Sequence, residues 1–303
     1  MRDETRKTGR SPVGRTLLYA ALLCVTATYL LPLIWMLSTS LKTERQVIEA
    51  PTAVLPEPVT DIPRQVRDNY LGVNDERGEV VVRGVLNDPV IDFPLYLRNT
   101  LVVAILSVTG MVLSSAVVAY GFSRVRWRGR GVLFGVVLAT MMIPFPVIMG
   151  PMFILFRDLG WIGSLKPLWV PAWFASAYNV FLLRQFFMTI PRELDEAATV
   201  DGCTHLGVFW RIILPNARPA LAVVALFHFM FVWNDFLGPL IFLVERDDFT
   251  LALGLQLYQA QAGEVPWNLL MAASTLVMGP VLLAFLLAQR TFVEGLSTSG
   301  LKE

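Results

Sequence analysis

Charged residues are scarce in this 303-residue sequence, at 16%, whereas apolar residues make up 55%. Globular proteins carry about 25% charged residues, so the chain has too little polar surface to coat a water-soluble fold. Its formal net charge is only +1, which gives a nucleic-acid partner no electrostatic support. Two cysteines, Cys24 and Cys203, are too few for a disulfide framework or a cysteine-based metal site.

Motifs for catalysis are also lacking. The sequence has no Gly-x-x-x-x-Gly-Lys-Ser/Thr run, so it has no P-loop that could hold ATP phosphates. His205 and His228 do not have the spacing of a ligand pair, and no His-Glu-x-x-His run occurs, which excludes a zinc metalloprotease. Asp201, Cys203 and His205 lie close enough in sequence to suggest a metal site. We instead assign them to a turn between two short helices, described below. We therefore predict no catalytic residue, no metal and no cofactor.

Six apolar runs are long enough to cross a bilayer, whose core of about 30 Å needs about 20 residues of helix. They are residues 16–41, 100–120, 132–156, 168–188, 219–243 and 268–289. Pro32 predicts a kink in the first run, and Pro144, Pro146 and Pro151 predict a bent or partly unwound third run. Arg184 lies inside the fourth run, so its guanidinium should reach a water interface. The sequence thus predicts an all-α, polytopic membrane protein with six transmembrane helices.

Basic residues in the short loops indicate the orientation. Five lysines and arginines precede the first run, and the connection after the second run holds Arg124, Arg126, Arg128 and Arg130. Both segments should face the cytoplasm, which places both termini inside and makes residues 184–218 cytoplasmic. The predicted domains are a basic tail at 1–15, a transmembrane domain at 16–292 and a carboxyl tail at 293–303.

One long polar loop, residues 42–98, lies on the outer side in this orientation. Its segments 69–73 and 79–83 flank residues 74–78 and predict a small hairpin with a glycine-containing turn. The hairpin would be either a surface for an extracytoplasmic partner or solvated decoration, since two short strands carry little specificity of their own.

The cytoplasmic segment 191–219, called the elbow below, predicts two short helices that meet at a glycine. Pro191 suits a first helical position, the acids after it favour the positive end of the helix dipole, and Gly202 suits the stop. Thr204 could cap the second helix. That helix has an apolar stripe before Pro215 ends it, formed by Leu206, Phe209, Trp210, Ile213 and Leu214.

Several elbow residues resemble the EAA loop of bacterial ABC-importer permeases. They are Glu196, Ala197, Ala198, Asp201, Gly202, Ile212, Leu214 and Pro215. In that family the loop forms a coupling helix that docks into a groove on a cytoplasmic ATPase subunit, so the resemblance implies an ATPase-coupling role for these residues. The alternative is a helix pair lying on the membrane surface without a partner.

Other segments resemble the maltose-transporter-like, carbohydrate-uptake branch of these permeases. They are residues 31–43, 119–124, 184–187, 233–236 and 292–302. The resemblance implies a subunit of a bacterial inner-membrane importer of sugars or polyols that works by alternating access. It also implies three kinds of partner: ATP-binding subunits that use the ATP, a second homologous permease and an extracytoplasmic solute-binding protein. The outer hairpin departs from the family pattern.

An amide and a carboxylate, Asn234 and Asp235, lie together inside the fifth run. A charge at the bilayer centre costs about 2.5–3.5 kcal/mol on insertion scales, so Asp235 should face the bundle interior, a water-filled path or the outer interface. The pair would suit sugar hydroxyls on a solute path, or would bond a neighbouring helix. Asp235 and the broken third run also leave an ion-coupled secondary transporter as the alternative function.

Overall fold

The computed structural model describes residues 12–260 and 265–299. These residues are mostly α-helical, as the long apolar runs predict, and the helices are numbered in chain order. The longer helices are α1 (Pro12–Ser40), α4 (Phe93–Ser123), α5 (Arg130–Thr140), α6 (Phe145–Asp158), α8 (Ala177–Thr189), α12 (Arg218–Trp233) and α15 (Trp267–Ser299). The shorter helices are α2 (Glu44–Glu49), α3 (Ile62–Val66), α7 (Lys166–Trp169), α9 (Glu193–Val200), α10 (His205–Val208), α11 (Leu214–Asn216), α13 (Leu237–Phe242) and α14 (Leu251–Gln259).

Three of the described helices are long and apolar enough to cross a membrane alone. They are Val13–Ser40, Phe93–Ser123 and Trp267–Gln289, and they contain nearly all of the first, second and sixth predicted runs. Two further pairs qualify only together, because each is sharply bent: α5 with α6 by 96°, and residues 205–216 with α12 by 77°. By length and composition the described chain therefore has three to five spans, and six spans stay a prediction.

The prolines act differently in the first and third runs. α1 continues through Pro32 to Ser40, so the expected kink does not interrupt the helix. In the third run α5 ends at Thr140 and α6 begins at Phe145, directly after Pro144. The predicted bend of this run is confirmed.

The fourth run is not one helix, so the prediction of one uninterrupted helix at 168–188 is wrong. α7 is followed by a 3-10 turn at Val170–Phe174, and α8 starts only at Ala177. Ala175 between them has a left-handed backbone with φ 63°, which a helix cannot contain. Within α8, the Arg184 guanidinium lies 4.2 Å from the centroid of the Phe134 ring, a cation–π contact.

The fifth run is also broken, at its polar pair. α12 ends at Trp233 and α13 begins at Leu237, so Asn234 and Asp235 lie in a non-helical link and not inside a helix. At the carboxyl end, α15 extends to Ser299, and the predicted tail is therefore helical over most of its length. Residues 1–11 and 300–303 of the two predicted tails lie outside the described residues.

The chain divides into two compact units, and the first comprises residues 1–88 and 263–276. Within it the buried Asn69 amide donates to the Ser40 and Lys42 carbonyls, both at 2.8 Å, and its oxygen accepts from Asn268 at 3.0 Å. The Lys42 ammonium donates to the Ala53 carbonyl, and burial lowers the pKa of this group. Polar side chains thus hold the segment after α1 in place.

The predicted hairpin is present in the first unit. β1 (Val73–Asn74) pairs antiparallel with β2 (Val80–Val82), Val73 opposite Val82. Gly78 supplies the left-handed turn residue, with φ 82°. The first strand is shorter than predicted because Arg67–Leu71 forms a π turn.

The second unit comprises residues 89–262 and 277–303, and α4 lies at its centre. The main apolar core is built on α4, α8 and the beginning of α12, with the elbow packed against them. Small residues on α4 let neighbouring side chains pack close to its backbone. At Gly110, an added Cβ would lie 2.4 Å from Trp173 Cδ1. Ala116 and Ala119 on the same helix are fully buried, at 1% and 0% exposure.

We predict that Gly110→Ala lowers stability by about 1–3 kcal/mol, because the new methyl group overpacks against Trp173. The matched control is Gly121→Ala in the same helix, where an added Cβ meets nothing within 4 Å. That control should keep or raise stability, since alanine has the higher helix propensity. Thermal unfolding midpoints of the purified variants in one detergent measure both effects, and a Gly110→Ala midpoint at or above that of Gly121→Ala would contradict the packing.

Candidate functional site

The first half of the elbow is α9 with a glycine stop. α9 ends at Val200, Asp201 follows it, and Gly202 has a left-handed backbone with φ 84°. Gly202 N donates to Thr199 O at 3.0 Å and Cys203 N to Ala198 O at 2.9 Å, which satisfies the last carbonyls of the helix. The stop at Gly202 is as predicted, but α9 begins at Glu193, two residues after Pro191.

The second half of the elbow begins with the predicted cap. Thr204 Oγ1 accepts from Gly207 N at 3.3 Å at the start of α10. The chain continues through a π turn at Phe209–Ile213 into α11, which ends at Asn216. Pro215 lies inside α11, where its missing N–H is tolerated in the first turn, so the prediction that it ends the helix is wrong.

The EAA-like residues differ in exposure. Glu196, Ala197, Asp201, Gly202 and Pro215 are exposed, Ile212 and Leu214 are half-buried, and Ala198 is buried. The apolar stripe of the second half is split, because Phe209 and Ile213 are buried while Leu206 and Trp210 are 70% and 56% exposed. Val200 is 87% exposed as well. The exposed side chains of Val200, Leu206 and Trp210, with Glu196 and Asp201, are called the outer surface of the elbow.

The inner surface of the elbow is attached to the last turn of α4. The Tyr120 hydroxyl donates to the His205 carbonyl at 3.0 Å, and its ring lies 5.1 Å from that of Phe209. Arg124 Nη1 pairs with Asp195 Oδ2 at 2.9 Å. Arg124 was a loop charge in the sequence analysis, and nothing in the sequence signals its pairing with an acid 71 residues later.

A cavity of about 440 Å³ lies within the second unit, lined by α4, α6, α7, α12, α13 and the turns before α8. Most of its lining is apolar, and its polar side chains are Thr100, Ser107, His228, Asp235 and Thr250. Ser107 Oγ and His228 Nε2 share a hydrogen bond of 2.7 Å. Sequence reasoning missed Ser107 and His228, because neither stands out from its apolar run.

The two members of the polar pair, Asn234 and Asp235, make different contacts. Asp235 lines the cavity, and its Oδ1 accepts from Gly238 N at 3.1 Å, where it caps α13. The exposed Asn234 amide instead donates to the Met230 carbonyl at 2.7 Å. Asp235 is thus the member placed to contact a molecule in the cavity.

Comparisons with known proteins assign this architecture. The family described as binding-protein-dependent transport system inner membrane component matches residues 110–298. The trehalose/maltose transport system permease protein MalG of Thermococcus litoralis is 32% identical over 304 residues, with 100% of this chain and 99% of the relative covered. The sn-glycerol-3-phosphate transport system permease protein UgpE of Pectobacterium atrosepticum is 36% identical over 208 residues, covering 68% and 74%.

Among solved structures, a bacterial ABC transporter involved in the import of alginate has the same fold, with a TM-score of 0.74 and 23% identity over 93% of this chain and 98% of the other. The chain therefore belongs to the binding-protein-dependent transport system inner membrane component family. It is the membrane permease component of an ABC importer, a transport subunit that leaves ATP hydrolysis to a separate subunit. Family membership decides against the ion-coupled secondary transporter.

We predict that Gly202→Ala loosens the elbow, because a left-handed conformation costs an L-residue roughly 1–2 kcal/mol. Amides of residues 198–203 should then exchange with solvent about five- to thirtyfold faster. Gly207→Ala is the matched control, since Gly207 lies inside α10 and an added Cβ would be 3.4 Å from its nearest neighbour. Hydrogen-exchange mass spectrometry measures both variants, and equal protection in the two would contradict the assignment.

Proposed function

We propose that this permease imports sugars or related polyols by alternating access between inward-open and outward-open states. The substrate class is supported by the curated relatives, which are named for trehalose and maltose, arabinooligosaccharides and sn-glycerol-3-phosphate. We place the protein in the inner membrane with six spans and both termini in the cytoplasm. This topology rests on the distribution of basic residues, and it puts the elbow on the cytoplasmic side.

The proposed mechanism is based on the elbow, which packs against the core on one side and exposes other side chains to solvent. Its outer surface exposes Glu196, Asp201 and the apolar side chains of Val200, Leu206 and Trp210. Exposed apolar side chains beside charged ones are typical of a surface that binds another protein. We assign this surface to an ATP-binding subunit. Ala198, Ile212 and Leu214 would hold the inner side against the core. Ala197 and Gly202 would shape the tip, and Pro215 would act at the far end of the second half, in α11.

Two further partners complete the proposed importer. None of the most apolar 18-residue window of Val13–Ser40 is buried within the chain, which leaves this helix for lipid or a second, homologous permease. A solute-binding protein on the outer side would deliver the solute, as the family description implies. The hairpin β1–β2 belongs to the outer loop in this topology.

The proposed solute path passes the polar side of the cavity. Carboxylate, hydroxyl and imidazole groups of Asp235, Ser107 and His228 are suited to hydrogen bonds with hydroxyl groups of a sugar. Asn234, bonded to the Met230 carbonyl, would contribute at the edge of this path if its side chain turned. Asp235 is therefore the residue on which we base the test of the path.

Glu196→Lys and Gly202→Pro should each abolish uptake while leaving membrane insertion intact, because they alter the docking surface and the helix stop. The control is Glu193→Lys, which makes the same charge change at an exposed acid in the first turn of the same helix. Its uptake should stay close to that of the parent. Uptake of labelled trehalose, maltose, arabinooligosaccharides and sn-glycerol 3-phosphate by cells with the complete importer is the measurement. Full uptake by both elbow variants would refute the coupling assignment.

Asp235→Leu should reduce uptake about tenfold or more, the loss expected when a hydrogen-bonded solute contact is left unmade. Asp235→Asn retains an oxygen that can cap α13 and bond a hydroxyl, so its uptake should stay close to that of the parent. Asn234→Leu should also have little effect. A solute path through the cavity would be contradicted if Asp235→Leu transports normally, or if Asn234→Leu loses as much uptake as Asp235→Leu.

A further inference from the structure

A buried guanidinium joins three elements where the membrane helices meet the elbow. The Arg124 side chain is 4% exposed and follows the last residue of α4. Its Nη1 pairs with Asp195 Oδ2 of α9 at 2.9 Å. Its Nη2 donates to the carbonyls of Phe187 and, at 2.7 Å, Ile190. A single side chain thus bonds α9 and the end of α8 to α4.

The chemistry of this contact makes it a stiff one. A guanidinium stays charged in proteins, and a buried charge is costly unless an opposite charge and further hydrogen bonds compensate it. Asp195 provides the charge, and the carbonyls of Phe187 and Ile190 lie at the negative end of the α8 dipole. Moving α9 away from α4 would break the ion pair between Arg124 and Asp195, so the two helices should move together.

A second contact lies one turn earlier on the same face of α4. Tyr120 and Arg124 are four residues apart and therefore point in similar directions. Tyr120 donates to the His205 carbonyl and packs on Phe209, both in the second half of the elbow. The last turn of α4 consequently binds both halves of the elbow.

The other half of α4 lines the cavity. Thr100, Ser107 and Met111 all belong to the cavity wall, and α4 has 31 residues without a break. At 1.5 Å per residue this helix is about 46 Å long. The elbow is covalently joined to α8 before it and to α12 after it, and the connection into α12 passes through a 77° bend. α4 meets the elbow through side-chain contacts and runs unbroken from there to the cavity.

We propose that Arg124 is a positioning residue that, through Asp195, makes α4 follow the elbow, so that an ATP-driven displacement of the elbow changes the cavity. This proposal rests on the proposed function, in which an ATP-binding subunit acts on the elbow. It adds the element that receives the movement and the contact that transmits it.

The test measures exposure of the cavity wall and needs no knowledge of the solute. In the assembled importer, Cys24→Ser and Cys203→Ser remove both native thiols of this chain, and Met111→Cys introduces one on α4 at the cavity, where Met111 is 6% exposed. The rate of maleimide labelling of this chain is compared without nucleotide and with ATP plus vanadate. We expect about a fivefold or larger change in rate, as for a substantial population shift between two states.

Arg124→Lys keeps the charge but loses the planar fork, and Asp195→Asn keeps the shape but loses the charge. In both variants the importer should still hydrolyse ATP, but the labelling rates with and without nucleotide should become about equal. Asp195→Glu should restore most of the response. The control is Arg128→Lys in the following loop, where the arginine is exposed, and its response should equal that of the parent.

A full response in Arg124→Lys and Asp195→Asn would overturn the proposal. If Arg124→Lys is lost from the membrane, Asp195→Asn alone decides: a full response overturns the proposal, and a lost response with retained ATP hydrolysis supports it. Failure of the proposed function is recognised separately, because the parent itself would then show no nucleotide-dependent labelling.

Discussion

The packing of the second unit around α4 is the constraint on which its other features depend. In lipid, helices gain little from the hydrophobic effect on meeting each other, so small residues and polar contacts hold them together. α4 supplies both kinds of contact: Gly110 admits Trp173, and Ser107 bonds His228. The cavity and the elbow are then two regions attached to the same rigid helix, which is why a movement at one can reach the other.

Interrupted helices surround α4, and polar side chains satisfy their broken backbone. Non-helical backbone at membrane depth is tolerated only where protein or water supplies hydrogen bonds. Ser114 of α4 donates to the Ala172 carbonyl at 3.1 Å, Ser176 caps α8, and Asp235 caps α13. The same carboxylate that ends the break at residues 234–236 also faces the cavity, so one side chain serves the fold and the proposed solute path.

Apolar run length predicted the first, second and sixth spans well, because a long run without breakers has few alternatives to a helix. It did not predict the breaks at Ala175 and at Asn234, since composition reports a preference for lipid and not backbone continuity. Gly202 was predictable from local chemistry, as only glycine adopts that left-handed stop cheaply. The role of Arg124 was not predictable: its partner Asp195 is 71 residues away, and only the fold brings the two together.

Coupling to ATP hydrolysis requires that the outer surface of the elbow binds an ATP-binding subunit. The most direct test places a photo-crosslinking amino acid at Val200, which is 87% exposed on that surface, and irradiates native membranes before identifying the attached molecules by mass spectrometry. We expect attachment to peptides of an ATP-binding subunit. Attachment to lipid alone would show a helix pair lying on the membrane surface and would contradict it.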